Sequence, residues 1–349
     1  MFTEFSAIEG PYLRDIRDQP RALEDTLVGL KNQKTLRTIA AKLHRGGFRT
    51  LVLTGMGSSF HALHPSNLEL INHGFMAMMV ETSELIHYKR QLFDPKTLII
   101  AVSQSGQSAE VVRLLEINRG KSAVIAITNT ADSALAVNAN ATILTRAGEE
   151  FSVSCKTYVT ALMALKWLTT VLCDRGPEHM RQELKQSSPA VQTYLDSWKQ
   201  HVRGLAQLLE RARHLFLVGR GTSLAAVGTG ALIIKESDHF HAEGLSSAAF
   251  RHGPFEMLSD ETFVLVFEGD DRTCDLNRGL LEDIRERNGR TELVSNDALF
   301  GPCKLPAAPK SIQPILEILP VQMTTLALAA QMGREPGRFE LATKVTTRE

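Results

Sequence analysis

An internal repeat constrains the fold of this chain more than any other feature of the sequence. The segments RTLVLTGMGSS (49–59) and RHLFLVGRGTS (213–223) each place a basic residue before an apolar run and a Gly-x-Gly turn. The apolar runs LIIAV (98–102) and FVLVF (263–267) follow in the same order. Gly55 aligns with Gly219 and Val102 with Val266, a separation of 164 residues in both pairs. This regular spacing predicts two copies of one domain.

Each copy alternates short apolar runs with longer helical patterns. In the first copy we predict strands at 50–54, 76–80, 98–102, 123–127 and 141–145, separated by helical stretches such as 59–73 and 107–118. Uninterrupted apolar strands are typical of burial on both faces, and alternation with helices predicts parallel βαβ units. The predicted fold class is therefore α/β, with two tandem doubly wound parallel-sheet sandwiches.

Breaks in the pattern divide the chain into five segments. We expect a helical N-terminal arm at 1–45, the first repeat at 46–175 and the second repeat at 211–335. A polar stretch that opens at Gly176-Pro177 predicts a linker helix region at 176–210, and the residues after Pro336 predict a C-terminal tail at 336–349.

The charge balance and the cysteines bear on partners and location. Lys plus Arg is 39 and Asp plus Glu is 39, so no net charge draws the chain to nucleic acid or to an anionic membrane. We find no signal-peptide pattern and no apolar run of about 18 residues that would suit a bilayer. The four scattered cysteines suit a reducing compartment. We therefore expect a cytoplasmic protein without nucleic-acid or membrane partners.

Two loops of the first copy are the leading candidates for a ligand site. GMGSS (55–59) and SQSGQS (103–108) each follow a predicted strand, and open parallel sheets bind ligands at the carboxyl ends of their strands. The second loop also precedes the helical pattern AEVVRLLE, so its hydroxyls and backbone N–H groups meet a helix N-terminus. This arrangement favours a phosphate group.

Other interpretations of these loops stay open. The serines could serve only to cap the following helix. GMGSS is not a dinucleotide fingerprint, because Phe60 stands where a third glycine is expected, and no Gly-Lys-(Ser/Thr) sequence makes it a P-loop. In the second copy FEGDD (267–271) replaces the serine loop, and its carboxylates would repel a phosphate. We expect one phosphate site per chain.

The segment 230–254 collects ionisable side chains at the end of an apolar helical pattern. It admits three interpretations: a polar helix face followed by a turn, a metal site from His239, His241 and an acid, or acid–base chemistry by Glu236 with His252. The spacing matches no strong zinc pattern, so we expect no metal. A carboxylate and an imidazole could move protons at neutral pH.

The C-terminal sequence ELATKVTTRE contains Lys344. A lysine so close to a chain end is usually solvated. Its neighbours Val345 and Thr346 favour a tail that packs.

Together these motifs resemble the double sugar isomerase (SIS) domain family. The resemblance rests on the tandem repeats, on SQSG (103–106), on Lys235-Glu236, on HAEG (241–244) and on RHGP (251–254). Within that family, the chain resembles the isomerase half of the glucosamine-6-phosphate synthases over about residues 10–349. We expect no glutaminase half like that of those enzymes, because Phe2 stands where its nucleophilic cysteine would be. Synthesis of glucosamine 6-phosphate from glutamine is therefore not expected.

The resemblance implies roles for individual residues. It assigns the phosphate of the substrate to Ser59, Ser103, Gln104, Ser105 and Ser108. It implies that Glu236 moves a proton between C1 and C2, that His252 opens the sugar ring from the neighbouring subunit, and that Lys344 lies near the sugar oxygens. Weaker contacts to the sugar are implied for Met56, Gly57 and Ser58. The implied chemistry needs no cofactor, and the shared site implies a homodimer.

Some positions depart from the synthase pattern. Ile233 stands where the synthases have lysine, and Ala249 stands where they have glutamate. Three functions remain in view. The first is a phosphosugar isomerase or deaminase acting on a hexose or hexosamine 6-phosphate. The second is a deglycase of 6-phosphorylated sugar–amino acid adducts, and the third is a sugar-phosphate sensor without catalysis.

Overall fold

The computed structural model describes residues 5–31, 33–341 and 343–346. These residues form two compact units, and the chain passes between them several times. The first unit contains residues 5–20, 150–155 and 187–340. The second contains the other described residues, including 343–346 of the tail. Each unit has one parallel sheet with flanking helices, which confirms the predicted α/β fold.

The helices are, in chain order, α1 (Pro11–Arg17), α2 (Gln19–Gly29), α3 (Lys34–His44), α4 (Gly57–His61), α5 (His64–Asn72), α6 (Thr82–Tyr88), α7 (Ala109–Asn118), α8 (Ala134–Asn138), α9 (Lys156–Leu172), α10 (Pro177–Leu184), α11 (Ser187–Leu195), α12 (Trp198–Leu208), α13 (Leu224–Asp238), α14 (Ser247–Arg251), α15 (Cys274–Glu286), α16 (Gln313–Leu316) and α17 (Ile318–Met332). The strands are β1 (Thr50–Gly55), β2 (Ala77–Glu81), β3 (Thr97–Val102), β4 (Ala123–Thr128), β5 (Ala141–Leu144), β6 (His214–Gly219), β7 (Ala242–Ser246), β8 (Thr262–Phe267) and β9 (Arg290–Val294).

The sheet of the second unit is formed by the first repeat. It has the order β2-β1-β3-β4-β5 with all strands parallel. Every residue of β1 and β3 is buried, as the uninterrupted apolar runs predicted. One face of this sheet packs Val52, Ile99 and Val124 against Leu114 of α7. Each such side chain contributes about 1.5–3 kcal/mol when fully buried. The core therefore fixes the strand ends that carry the candidate loops.

The predicted continuous helical stretch at 59–73 is two helices in the structure. α4 ends at His61, and α5 begins at His64 with Pro65 in its first turn. Proline has no backbone N–H to donate and disfavours helical geometry in the residue before it, so the helix restarts at this point.

The sheet of the first unit has the order β7-β6-β8-β9. Its core packs Phe216 and Val264 against Phe250 and Leu280. Among the described residues, the segment after β9 forms no fifth strand: it makes an isolated bridge between Ser295 and Lys304 and a short 3-10 turn at Gly301–Cys303. Pro302, Pro306 and Pro309 fall in this segment, and each lacks the N–H that a strand ladder needs.

One helical segment, Lys310–Met332, is long and apolar enough to meet the length and composition criteria for a membrane span. It differs from the expectation that no apolar run of the sequence would suit a bilayer. In the structure 83% of its apolar window is buried inside the protein. This burial explains the composition of the segment, since core helices are apolar all round.

Candidate active site

The strand order of the five-stranded sheet reverses between β1 and β3, and both candidate loops follow those strands. Gly55 is the last residue of β1, and the backbones of Val102 and Phe60 lie close to it. A Cβ atom there would lie 3.0 Å from the Val102 carbonyl oxygen and 3.1 Å from the Phe60 nitrogen. This close approach explains the glycine. It also brings the segments 55–59 and 103–108 side by side at a topological switch point, where α/β folds bind ligands.

Hydrogen bonds within the 103–108 loop fix its shape. The buried Ser103 hydroxyl accepts the Gly106 N–H at 3.1 Å, and the Ser105 hydroxyl accepts the Gln107 N–H at 3.3 Å. Gly106 has a φ of 61°, a left-handed conformation that glycine adopts without strain.

Residues at the end of β4 form hydrogen bonds to the same loop. The Gln104 carbonyl accepts hydrogen bonds from the Asn129 N–H at 3.0 Å and from the Thr128 hydroxyl at 3.2 Å. Gly106 also lies directly against Ser133, the residue that caps α8. The loop is therefore held before any ligand arrives.

Several polar side chains at this switch point have no hydrogen-bond partner among the described residues. Ser108 is the N-cap residue of α7, yet its hydroxyl makes no capping hydrogen bond. The side chains of Ser59 and Gln104 donate to no other residue in the described part of the chain. The structure thus disagrees with the interpretation that Ser108 serves as a helix cap. It leaves hydroxyl and amide groups free to bind a ligand.

The C-terminal tail packs in the same unit as this loop. The Thr346 carbonyl accepts the N–H of Ala109, the first residue of α7, at 3.1 Å. Lys344, two residues earlier, is partly buried and not a freely solvated chain end. The tail therefore brings a lysine into the unit that carries the serine loop.

Glu236 belongs to the other unit, near the end of α13. Gly230 lets α13 pack closely, since a Cβ there would meet Leu217 of β6 at 2.6 Å and Val321 of α17 at 3.0 Å. Burial raises the pKa of the partly buried Glu236 carboxyl to about 7, against the opposing effect of the Lys235 ammonium. A carboxyl with this pKa exchanges a proton readily at neutral pH.

His252 follows α14 in the same unit as Glu236 and is exposed. Arg251 forms an ion pair with Asp283 of α15, and buried Phe250 packs its ring 5.2 Å from that of Phe216. Gly253 has a φ of 130°, which a side chain would strain. These contacts hold the turn that presents the imidazole to solvent.

At the switch point of the four-stranded sheet, the carboxylates that follow β8 are paired with cations. Glu268 accepts from Arg278 at 2.7 Å, Asp270 accepts from Arg272, and Asp271 pairs with Lys310. The sequence predicted that these carboxylates would repel a phosphate, and in the structure each of them has a basic partner. One phosphate site per chain remains a prediction.

A buried acid that the sequence did not single out lies nearby. Glu317 is 1% exposed and accepts the Ser223 hydroxyl at 2.7 Å. Burial raises its pKa to about 7.

The described residues contain no group of three or more His, Cys, Asp or Glu side chains placed to hold a metal ion. His241 approaches His214 instead, with their Nδ1 atoms 3.4 Å apart, and His239 lies 4.0 Å from Glu340.

The family model for the SIS domain matches residues 48–171 and again residues 208–332. The chain belongs to the SIS domain family.

The chain is similar to several named proteins. The chain is 30% identical over 346 residues to a glutamine–fructose-6-phosphate aminotransferase (isomerizing) of Pyrococcus horikoshii, covering 96% of this chain and 57% of that protein. It therefore spans little more than half the length of that relative. Its fold is similar to tagatose-6-phosphate ketose/aldose isomerase of Escherichia coli, with a TM-score of 0.80, 21% identity and 98% of each chain covered. It is also similar to glucosamine-6-phosphate deaminase of Thermotoga maritima, with a TM-score of 0.76, 17% identity, and 97% of this chain and 100% of that chain covered.

The predicted site residues fall into two groups. The unit with the first SIS sheet contains Lys344 together with Met56, Gly57, Ser58, Ser59, Ser103, Gln104, Ser105 and Ser108. The unit with the second SIS sheet contains Glu236 and His252. Two residues that support the 103–108 loop, Thr128 and Ser133, were not predicted from the sequence. The sequence contains a pattern that could have identified them: TNTADS (128–133) is a polar segment that begins at the end of β4, the strand next to β3.

Proposed function

We propose that this chain is a phosphosugar isomerase or deaminase that acts on a hexose or hexosamine 6-phosphate by moving a proton between C1 and C2. The observation that carries the proposal is the set of free donors on the SQSGQS loop, at the N-terminus of α7. Kinship with aminotransferases of the isomerizing type supports the same chemistry.

The phosphate of the substrate binds at residues 103–108. Ser108, Ser59 and Gln104 offer side-chain donors that make no hydrogen bond to any other described residue. The aligned peptide dipoles of α7 add partial positive charge at the same place. A loop held by its own hydrogen bonds fixes the position of the sugar, and near-attack geometry lowers the barrier.

Glu236 takes and returns the carbon-bound proton. Its pKa of about 7 leaves a useful fraction of the carboxylate as a base at neutral pH and a useful fraction of the acid as a donor. General acid–base catalysis of this kind contributes about 10²–10⁴-fold in rate. Lys344 stabilises the oxygen that gains negative charge in the enediol.

His252 transfers the proton that opens the sugar ring, and it acts on the site of a second copy of the chain. Its exposure fits such a role. The functional form is then a homodimer with shared sites. The proposed steps use side chains alone and no cofactor. When C2 carries an amino group, proton transfer gives an imine, and water releases ammonia from it.

A panel of hexose and hexosamine 6-phosphates tests the proposal, with ketose and ammonia as the products measured. Glu236→Gln should lose about 10²–10⁴-fold in turnover with at least one of these substrates. The matched control is Glu243→Gln, which neutralises an exposed carboxylate of the same unit and should turn over like the wild type. Equal activity of the two variants would remove Glu236 from the proposed role.

The same assays separate the other candidate functions. Release of a free amino acid from a 6-phosphorylated adduct, without ammonia, would replace the isomerase or deaminase with a deglycase. A rise in melting temperature with sugar phosphates, without any product, would replace it with a sensor.

A further inference from the structure

The end of α13 is capped by a segment from much later in the chain that belongs to the same unit. Helix α13 ends at Asp238, so Glu236 lies in its last turn. The last carbonyls of a helix have no partner within the helix and need donors from elsewhere. The Asp238 carbonyl accepts Nη1–H of Arg334 at 3.3 Å, and the carbonyl before it accepts the Gly337 N–H at 3.3 Å. Residues 334–340, here called the cap segment, therefore close the helix that carries Glu236.

The cap segment is itself held by buried contacts. The Gly337 carbonyl accepts the buried Ser152 hydroxyl at 2.8 Å. Gly337 has a φ of 75°, and a Cβ atom there would lie 3.2 Å from the Ser152 Cβ and from the Tyr12 Cγ. The backbone N–H of Arg334 donates to a carbonyl in the last turn of α17 at 3.0 Å. The position of the cap segment is therefore fixed from several sides.

The end of α13 needs this support, because its own residues do not favour it. His239, the next residue, has a φ of 52°, a left-handed conformation that is uncommon for a residue with a side chain. The Asp238 carboxyl is 1% exposed, and burial raises its pKa well above its usual range, against the opposing effect of the Arg334 guanidinium. Lys235 on α13 is basic, and Glu340 pairs with Arg334 at 3.1 Å. A cation at the negative end of the helix dipole stabilises the last turn.

The chemistry of Glu236 depends on the shape of this last turn. Burial raises its pKa to about 7, and the Lys235 ammonium opposes the rise. A frayed last turn would let water reach the carboxyl, so its pKa would fall toward the ordinary value of 4.5. The carboxylate would then be a weaker base and would lie in the wrong place for the transfer of a proton.

We propose that Arg334 is a positioning residue for Glu236: it caps α13 and keeps the carboxyl in the partly buried place from which it moves the proton. Arg334 acts through the backbone of the helix end and not on the substrate. The consequence for turnover rests on the proposed function. The effect on the Glu236 carboxyl does not, since it exists without substrate.

NMR of protein labelled with ¹³C at the glutamate carboxyl carbons measures this effect directly. The Glu236 signal is the one that disappears in Glu236→Gln. In wild type it should titrate with a pKa of about 7, and in Arg334→Gln with a pKa nearer 4.5. Arg338→Gln serves as the control, because it removes the same charge from an exposed side chain of the cap segment. It should leave the titration of Glu236 unchanged.

Turnover of a sugar phosphate gives a second readout. Arg334→Gln should lower kcat about 10–100-fold and leave KM within about twofold of the wild-type value, because the loop at 103–108 is untouched. The acidic limb of kcat/KM should move to lower pH with the pKa of Glu236. Arg334→Lys keeps a cation at the helix end and should recover part of both changes. A general loss of stability would not move this limb.

The inference is overturned by a Glu236 pKa that stays near 7 in Arg334→Gln, or by equal titrations and equal kcat values of Arg334→Gln and Arg338→Gln. If Arg334→Gln does not fold, Arg334→Lys takes its place and should show a pKa between 4.5 and about 7. Wild-type turnover by Glu236→Gln would instead refute the proposed function. The titration would still decide whether Arg334 holds the helix end.

Discussion

Replacement of Gly106 by alanine tests whether the shape of the 103–108 loop is set before a ligand binds. A Cβ at this position would lie 2.7 Å from the Ser133 Cβ and 3.0 Å from the Thr128 hydroxyl, and closer still to the Ser133 hydroxyl. A left-handed φ costs a residue with a side chain about 1–2 kcal/mol, and overpacking costs about 1–3 kcal/mol. Gly106→Ala should therefore destabilise this unit by about 2–5 kcal/mol in total.

Gly120→Ala separates the two costs. Gly120 has a φ of 74° in the same unit, and apart from its own chain neighbours no described residue lies within 4 Å of its Cβ position. Gly120→Ala should therefore lose only the stability that the left-handed φ costs. The free energies of unfolding of the two variants should differ by the cost of overpacking, about 1–3 kcal/mol. Ser133→Gly in the Gly106→Ala background should recover part of the loss, because it removes the clashing side chain.

Urea unfolding followed by Trp167 measures these differences. Trp167 is buried in the unit that contains the loop, and a Trp198→Phe background removes the other tryptophan of the chain. The affinity for a hexose 6-phosphate should fall in Gly106→Ala and stay near wild type in Gly120→Ala. Equal stability and equal affinity of the two variants would refute the steric argument.

Three further predictions concern single side chains. Ser108→Ala should weaken hexose 6-phosphate binding about tenfold in calorimetry without changing the urea midpoint, because its hydroxyl makes no capping bond in the free protein; a loss of stability would contradict this. A base with a raised pKa must lose its proton to act, so kcat/KM should fall as the pH drops below about 7 and should lose this dependence in Glu236→Gln; an acidic limb near pH 4.5 would contradict it. The raised pKa of Glu317 means that its contribution to stability is complete below about pH 4.5 and is lost as the pH rises through about 7. Wild type should lose up to about 3 kcal/mol from this group between pH 4.5 and pH 8, and Glu317→Gln should not; parallel urea midpoints of the two proteins across that range would count against the assignment.

The sequence predicts the two sheets because their strands are encoded locally. β1 and β6 begin at Thr50 and His214, 164 residues apart as the repeat requires. Continuous apolar runs identify strands buried on both faces, and the loops that follow them must lie at the carboxyl edge of a parallel sheet. The position of SQSGQS therefore follows from the pattern alone.

Features that depend on contacts distant in the sequence were not predictable in this way. Residues 150–155 pack with the unit that contains the second sheet, although both neighbouring segments belong to the other unit. The partner of the Ala109 N–H is 237 residues away at Thr346. The hydrogen bond between Ser223 and the buried Glu317 likewise joins residues that are 94 positions apart in the chain. No local propensity reports such pairings.

Solvent hydrogen exchange at the sugar carbons tests the central proposal most directly. The protein is incubated in D₂O with a hexose 6-phosphate that it binds, and deuterium at C1 and C2 is followed by NMR. The proposed proton transfer predicts that wild type introduces deuterium at these carbons and that Glu236→Gln does so about 10²–10⁴-fold more slowly. A sugar phosphate that binds to the wild type, is neither isomerised nor deaminated, and gains no deuterium would contradict the proposed chemistry.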